Sequence, residues 1–302
     1  MRISTLILLV IANTASAKIQ FNCNDTKNID AGKIAEYIKI IDTQEMMSSP
    51  STVSIHYQRL FERCVQNRQP IKSLNNKALD SLFRSMISIA FYTENKNHVD
   101  YMRSVFDEKL TRGDRNKDAI ERMHSAYISV RQFEQARQLE YTFSDIGLPI
   151  TPSIELLETH ERTLLRLADN GKKLVQETFS FPKGGYVVVV SSPMCGFSRH
   201  FMEWLRNQPS LFNIFAKHSI WITPVDGYFN IEEMQKSNRR NKPIHIKYTY
   251  SSSDWPEITY WGTPTLYFYN NGELKKQIIG WPKEGRGQEV LAGLKEISLL
   301  KQ

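Results

Sequence analysis

The stretch Tyr186-Val187-Val188-Val189-Val190-Ser191-Ser192-Pro193-Met194-Cys195-Gly196-Phe197-Ser198-Arg199 decides the fold. An uninterrupted β-branched run gives way to a short polar step, and a cysteine then stands just before a segment of helical character, residues 200–207. The pattern predicts a strand followed by a helix whose first turn carries the thiol. A cysteine attacks only as thiolate, and its ordinary pKa of about 8.5 leaves most of it protonated near neutrality. A helix N-terminus offers unpaired N–H groups and the positive end of the dipole to that anion. Arg199 contributes a positive charge and Ser198 a hydroxyl, and both are expected to lower the Cys195 pKa. The competing reading of Cys195 is a small apolar residue at a sheet edge, and Ser198 also suits a first helical turn as a capping residue.

Downstream, Trp261-Gly262-Thr263-Pro264-Thr265-Leu266-Tyr267-Phe268-Tyr269-Asn270-Asn271-Gly272-Glu273 reads as a Thr-Pro step, an aromatic strand and a turn, with Gly280-Trp281-Pro282 beyond it. Together with the Cys195 stretch, this resembles the thioredoxin superfamily over residues 186–300. Pro193-Met194-Cys195-Gly196-Phe197-Ser198 is similar to the monothiol glutaredoxin motif, whereas Gly262-Thr263-Pro264-Thr265 looks like that of periplasmic thioredoxins and disulfide isomerases. The resemblance implies that Pro264 is cis and lies against Cys195. It also implies that the Thr263 backbone pairs with an extended substrate, with Phe197 a further substrate contact. The catalytic candidates are therefore Cys195, Ser198 and Pro264, and the substrate-binding candidates Thr263, Pro264 and Phe197.

Ser198 stands where a dithiol site has its resolving cysteine. Attack on a client disulfide would then leave a mixed disulfide that this site cannot release alone. Glutathione or another external thiol, or a second client cysteine, must complete the exchange, and no cofactor is expected. The activity implied is a monothiol oxidoreductase or isomerase acting on cysteine-containing clients. The alternative is a redox-inactive thioredoxin-fold binding module using the Pro264 edge. The iron-sulfur role of monothiol glutaredoxins is not expected, because Val190-Ser191-Ser192 replaces their lysine and elongated loop.

Residues 1–17 have a positive start, a short apolar core at 6–12 and Ala15-Ser16-Ala17, the make-up of a cleaved secretory signal peptide. No later segment approaches about 20 apolar residues, so a mature chain without stable membrane insertion is expected. A bacterial periplasm suits these features, and an endoplasmic reticulum lumen is the other compartment open to such a chain. An oxidising compartment would join Cys23 to Cys64 and leave Cys195 unpaired, closing a loop worth about 3 to 4 kcal/mol in the chain-entropy account. The other possibility is that Cys23 or Cys64 resolves the mixed disulfide on Cys195. The formal charge of +7 comes from scattered basic residues. It predicts a surface suited to anionic partners generally and no nucleic-acid footprint.

The expected fold class is an α/β thioredoxin-like C-terminal domain, residues 171–302, preceded by an all-α helical-hairpin domain, residues 18–170. Within the latter, residues 123–149 resemble one tetratricopeptide unit, with Met123, Tyr127, Ala136 and Pro149 at its characteristic positions. An irregular bundle is the competing arrangement. The helical half is expected to contact a protein partner. Its isolated His56, His98, His124 and His160 predict no metal site. Ile154, Leu157, Leu164, Leu165 and Ala168 predict a last helix that ends at Asn170-Gly171. Strands are expected at 174–179, 186–190, 221–225, 265–269 and 276–280, and helices at 231–239 and 288–300. Residues 230–260 form an insertion that is either a wall of the substrate groove or packing for itself. His245 within it is a proton carrier if the fold brings it to Cys195.

Overall fold

Residues 19–23, 28–44, 50–66, 71–158, 161–168, 171–224 and 227–301 are described by a computed structural model, and these residues contain ten α-helices and an eight-stranded sheet. The expected signal peptide and His160 lie outside the described residues.

The first half is helical: α1 (Ala31–Gln44), α2 (Pro50–Cys64), α3 (Asn76–Thr93), α4 (Lys96–Thr111), α5 (Lys117–Ser129) and α6 (Phe133–Thr142). Asparagine starts three of them. The side chains of Asn75, Asn95 and Asn116 accept from the N–H groups of Ala78, Asn97 and Ala119, which satisfies donors left over at each helix start. Each helix packs on its successor, and α3 also packs on both α1 and α5. Helix lengths vary from 10 to 18 residues, so no single repeat length runs through them. Cys23 and Cys64 are joined by a disulfide that ties the extended segment before α1 to the end of α2.

The second half builds the sheet from β1 (Ser153–Glu155), β2 (Thr163–Ala168), β3 (Lys173–Thr178), β4 (Gly185–Val190), β5 (Ser219–Thr223), β6 (Ile246–Thr249), β7 (Thr265–Asn270) and β8 (Glu273–Ile279), in the order β1-β3-β2-β6-β5-β4-β7-β8. Four further helices are α7 (Gly196–Arg206), α8 (Pro209–His218), α9 (Ile231–Arg240) and α10 (Gly287–Glu296). The valine run needs no alternation because β4 is central and covered on both faces. Val187 and Val189 join the large core with Phe201, Phe215 and Leu294, and Val188 and Val190 face Trp255, Ile258 and Tyr267 on the other side. β4 runs parallel to β5 and antiparallel to β7. The strand before Cys195, the helix after it and the strand after Pro264 are β4, α7 and β7.

Two differences from expectation shape the sheet. The helix predicted across residues 154–168 is instead β1 and β2, so the sheet begins at Ser153, ahead of residue 171. β2 pairs along its whole length with β3, and Gly171 (φ 89°) serves the turn between strands rather than a helix end. A short leucine-rich run fits either periodicity, and here the pairing decides it. The second difference is the insertion, which contributes an inner strand: β6 pairs with β5 on one side and β2 on the other.

The halves share contacts. Arg131, at φ 65°, donates to the carbonyls of Thr249, at 3.2 Å, and Tyr250, and Phe133 packs on Phe229 with ring centroids 5.8 Å apart. Buried His124 bonds Glu140 at 2.8 Å, and the Glu140 carboxylate in turn accepts from the Thr151 N–H and hydroxyl. Among the described residues, no helix is long and apolar enough to cross a membrane.

Candidate active site at Cys195

Register brings the two sequence motifs together. Val190, the last residue of β4, pairs with Thr265, the first of β7, so the chain beyond one strand end meets the chain before the other. Cys195 is the N-cap of α7, with extended backbone (φ −83°, ψ 124°), and its carbonyl accepts from the Arg199 N–H at 3.1 Å. The thiol donates to the Thr263 carbonyl at 3.1 Å. The Thr263–Pro264 peptide is cis, and the Pro264 carbonyl is fixed by the Gly280 N–H at 2.8 Å.

The loop before α7 holds itself in place. The Ser192 carbonyl accepts from the Cys195 N–H at 3.1 Å, and its hydroxyl accepts from the Met194 N–H at 3.2 Å. Ser198 is buried, and its hydroxyl accepts from the Ser192 N–H at 3.4 Å. Beneath α7, Phe201 stacks on Trp221 at 5.5 Å and meets Trp281 at 4.8 Å. Trp281 thereby gives the Gly280-Trp281-Pro282 motif a local purpose: it supports the helix that carries the thiol.

Burial would push the Cys195 thiol up, but hydrogen bonds from Thr263, from the Ser198 N–H and hydroxyl and from the Phe197 N–H outweigh it and hold the pKa below the ordinary thiol value. The two protonation states use different partners. The thiol gives its proton to the Thr263 carbonyl, and the thiolate accepts from the surrounding donors. Arg199 does not act as the expected charge on the sulfur. Its guanidinium donates to the carbonyls of Pro193 and Met194, both at 3.0 Å, and so braces the loop.

The sulfur is half-buried, and Met194 and Phe197 beside it are exposed at 54% and 58%, which leaves an apolar rim open to a partner. Cys23 and Cys64 bond each other, so neither is a free thiol that could resolve Cys195. His245 is exposed in the loop before β6. Its partial burial, then the charges of Lys242, Lys247 and Arg166, lower its pKa, and it is not among the groups bonded to the sulfur. Aromatic residues of the insertion are mostly packing: Tyr248 donates to the Phe229 carbonyl and Trp255 is buried. Among the described residues, no group of three or more His, Cys, Asp or Glu side chains is placed to hold a metal ion.

Sequence reasoning missed that α9 flanks the Cys195 loop and encloses a cleft of about 430 Å³ with it and α7. The charged helix Glu232-Glu233-Met234-Gln235-Lys236 was visible, but its neighbour across the cleft was not.

No protein-family model matches the chain, and neither does any curated protein sequence. Among solved structures, a thioredoxin-like protein from Bacteroides caccae is similar, at 12% identity and a TM-score of 0.30, with 88% of this chain and 91% of that one covered. At that score the likeness assigns no role to any residue of this chain.

Proposed function

We propose that this chain is a monothiol thiol-disulfide exchange protein acting through Cys195. The observation that carries the reading is the half-buried sulfur at the α7 N-cap, bonded to the Thr263 carbonyl and held below the ordinary thiol pKa by donors around it. The Cys195 thiolate attacks one sulfur of a client disulfide. A Cys195–client S–S bond forms, the client S–S bond breaks, and the second client sulfur leaves as thiolate and takes a proton from solvent. A second client cysteine, or an external thiol such as glutathione, then attacks the mixed disulfide and returns Cys195 to the thiolate. Ser198 tunes the sulfur without resolving it, while Thr263, Pro264 and exposed Phe197 form the docking edge.

In this reading the protein works in the periplasm or outside the cell, after loss of residues 1–17. The helical half, with its successive hairpins, selects clients in the manner of tetratricopeptide arrays. The test is non-reducing mass spectrometry of the mature protein, with thiols trapped by acid at lysis. Client or glutathione adducts on Cys195, absent from a Cys195→Ser variant, are expected. A Cys195 that is always free and alkylates as slowly as a buried thiol would sink the proposal.

A further inference from the structure

The loop that presents Cys195 has a second open side. The 430 Å³ cleft there is of the size that takes small ligands or a few residues of peptide. Its back includes Ser192, Pro193 and Ser198; Cys195 does not line it, but Ser198, whose N–H and hydroxyl bond the sulfur, borders it.

The walls are basic. From α7 come Arg199 and Arg206, against Glu203, and from α9 come Lys236 and Arg240, against Glu233. Lys236 is already neutralised by Glu232 and Glu233 at 2.7 and 2.9 Å. Arg206 and Arg240 are exposed and have no carboxylate partner among the described residues.

The groups the cleft offers an occupant are the Arg206 and Arg240 guanidiniums, which pair with carboxylates.

Resting on the exchange reading, we infer that the cleft is a subsite for an acidic segment of the client, with carboxylates on Arg206 and Arg240. Clients whose reactive cysteines lie near Asp or Glu are thereby favoured.

The full-length chain carrying Cys195→Ser cannot exchange, so docking can be read alone, by fluorescence anisotropy with a labelled Glu-rich peptide and its Gln-substituted match. The Glu peptide is expected to bind about tenfold more tightly at low salt, with the gap closing as salt rises. Arg206→Glu with Arg240→Glu should abolish the preference, and the milder Arg240→Gln, at an exposed position, should reduce it if the double variant does not fold. Equal binding of the two peptides, a preference that survives both variants, or displacement by inorganic phosphate as effective as by the Glu peptide would overturn the inference. Glu-peptide binding without any adduct on wild-type Cys195 would instead strike the exchange reading and leave the cleft standing.

Discussion

Cys195 is governed by two sets of neighbours that want opposite things. The Thr263 carbonyl accepts a proton-bearing sulfur, while the Thr263 hydroxyl, the Ser198 N–H and hydroxyl and the Phe197 N–H favour a bare one. Because the donors prevail, the thiolate should appear at lower pH than for an ordinary cysteine. The rate of iodoacetamide alkylation at Cys195 should therefore rise with pH to a plateau whose midpoint lies below the ordinary thiol range. Ser198→Ala removes a stabiliser of the anion and should move that midpoint up. A midpoint at the ordinary thiol value in both proteins would show that the donors are not acting on the sulfur. Arg199→Ala should not reproduce the Ser198 effect in kind, because this guanidinium is committed to the Pro193 and Met194 carbonyls. The thiol and the Thr-Pro step were legible as positions in the chain, since each adjoins an apolar strand that sequence marks clearly, and Ser198 as part of the helical turn that follows. The role of Arg199 was not, because a charge close in sequence can turn toward backbone carbonyls instead of the expected sulfur.

Among the elements, three helices are held at their starts by asparagine caps. Asn116 accepts from the Ala119 N–H at 3.1 Å and starts α5, whose Ile120, Met123 and Tyr127 are buried in the core. Asn116→Ala should lower unfolding stability by about 1 kcal/mol in a denaturant titration, and Asn116→Ser should restore most of it. No loss in the alanine variant would mean that the cap is not holding the helix. The strands divide into those that could be read and those that could not. β4 and β7 carry valine and aromatic runs bounded by turns, which strand propensity favours. β2 reads Thr-Leu-Leu-Arg-Leu-Ala, as good a helix as a strand, and only its pairing with β3 settles the matter. β6 is four residues long, and its two neighbours come from distant parts of the chain, so no local pattern could place it. The cleft was equally hidden, because α7 and α9 each read as ordinary amphipathic helices.

At the scale of the whole molecule, the sheet does not respect the change in composition near residue 171. β2 lies between β3 and β6, so strands written before that point are hydrogen-bonded neighbours of strands written after it. Leu164 belongs to the core on one face of the sheet and Leu165 to the core on the other, so this single strand completes both. Anyone dividing the gene for separate expression would meet this directly. A fragment of residues 171–302 would carry β3 with no partner and expose the open edge of β6, an invitation to pair with another copy. It should elute as oligomers or be lost as aggregate on size-exclusion chromatography, whereas a fragment of residues 150–302 should run as a single species. If the shorter piece proved monomeric and folded, β1 and β2 would be additions to the sheet and not part of its foundation. The safe place to cut this protein is thus set by the hydrogen-bond ladder, some way upstream of where its residues change character.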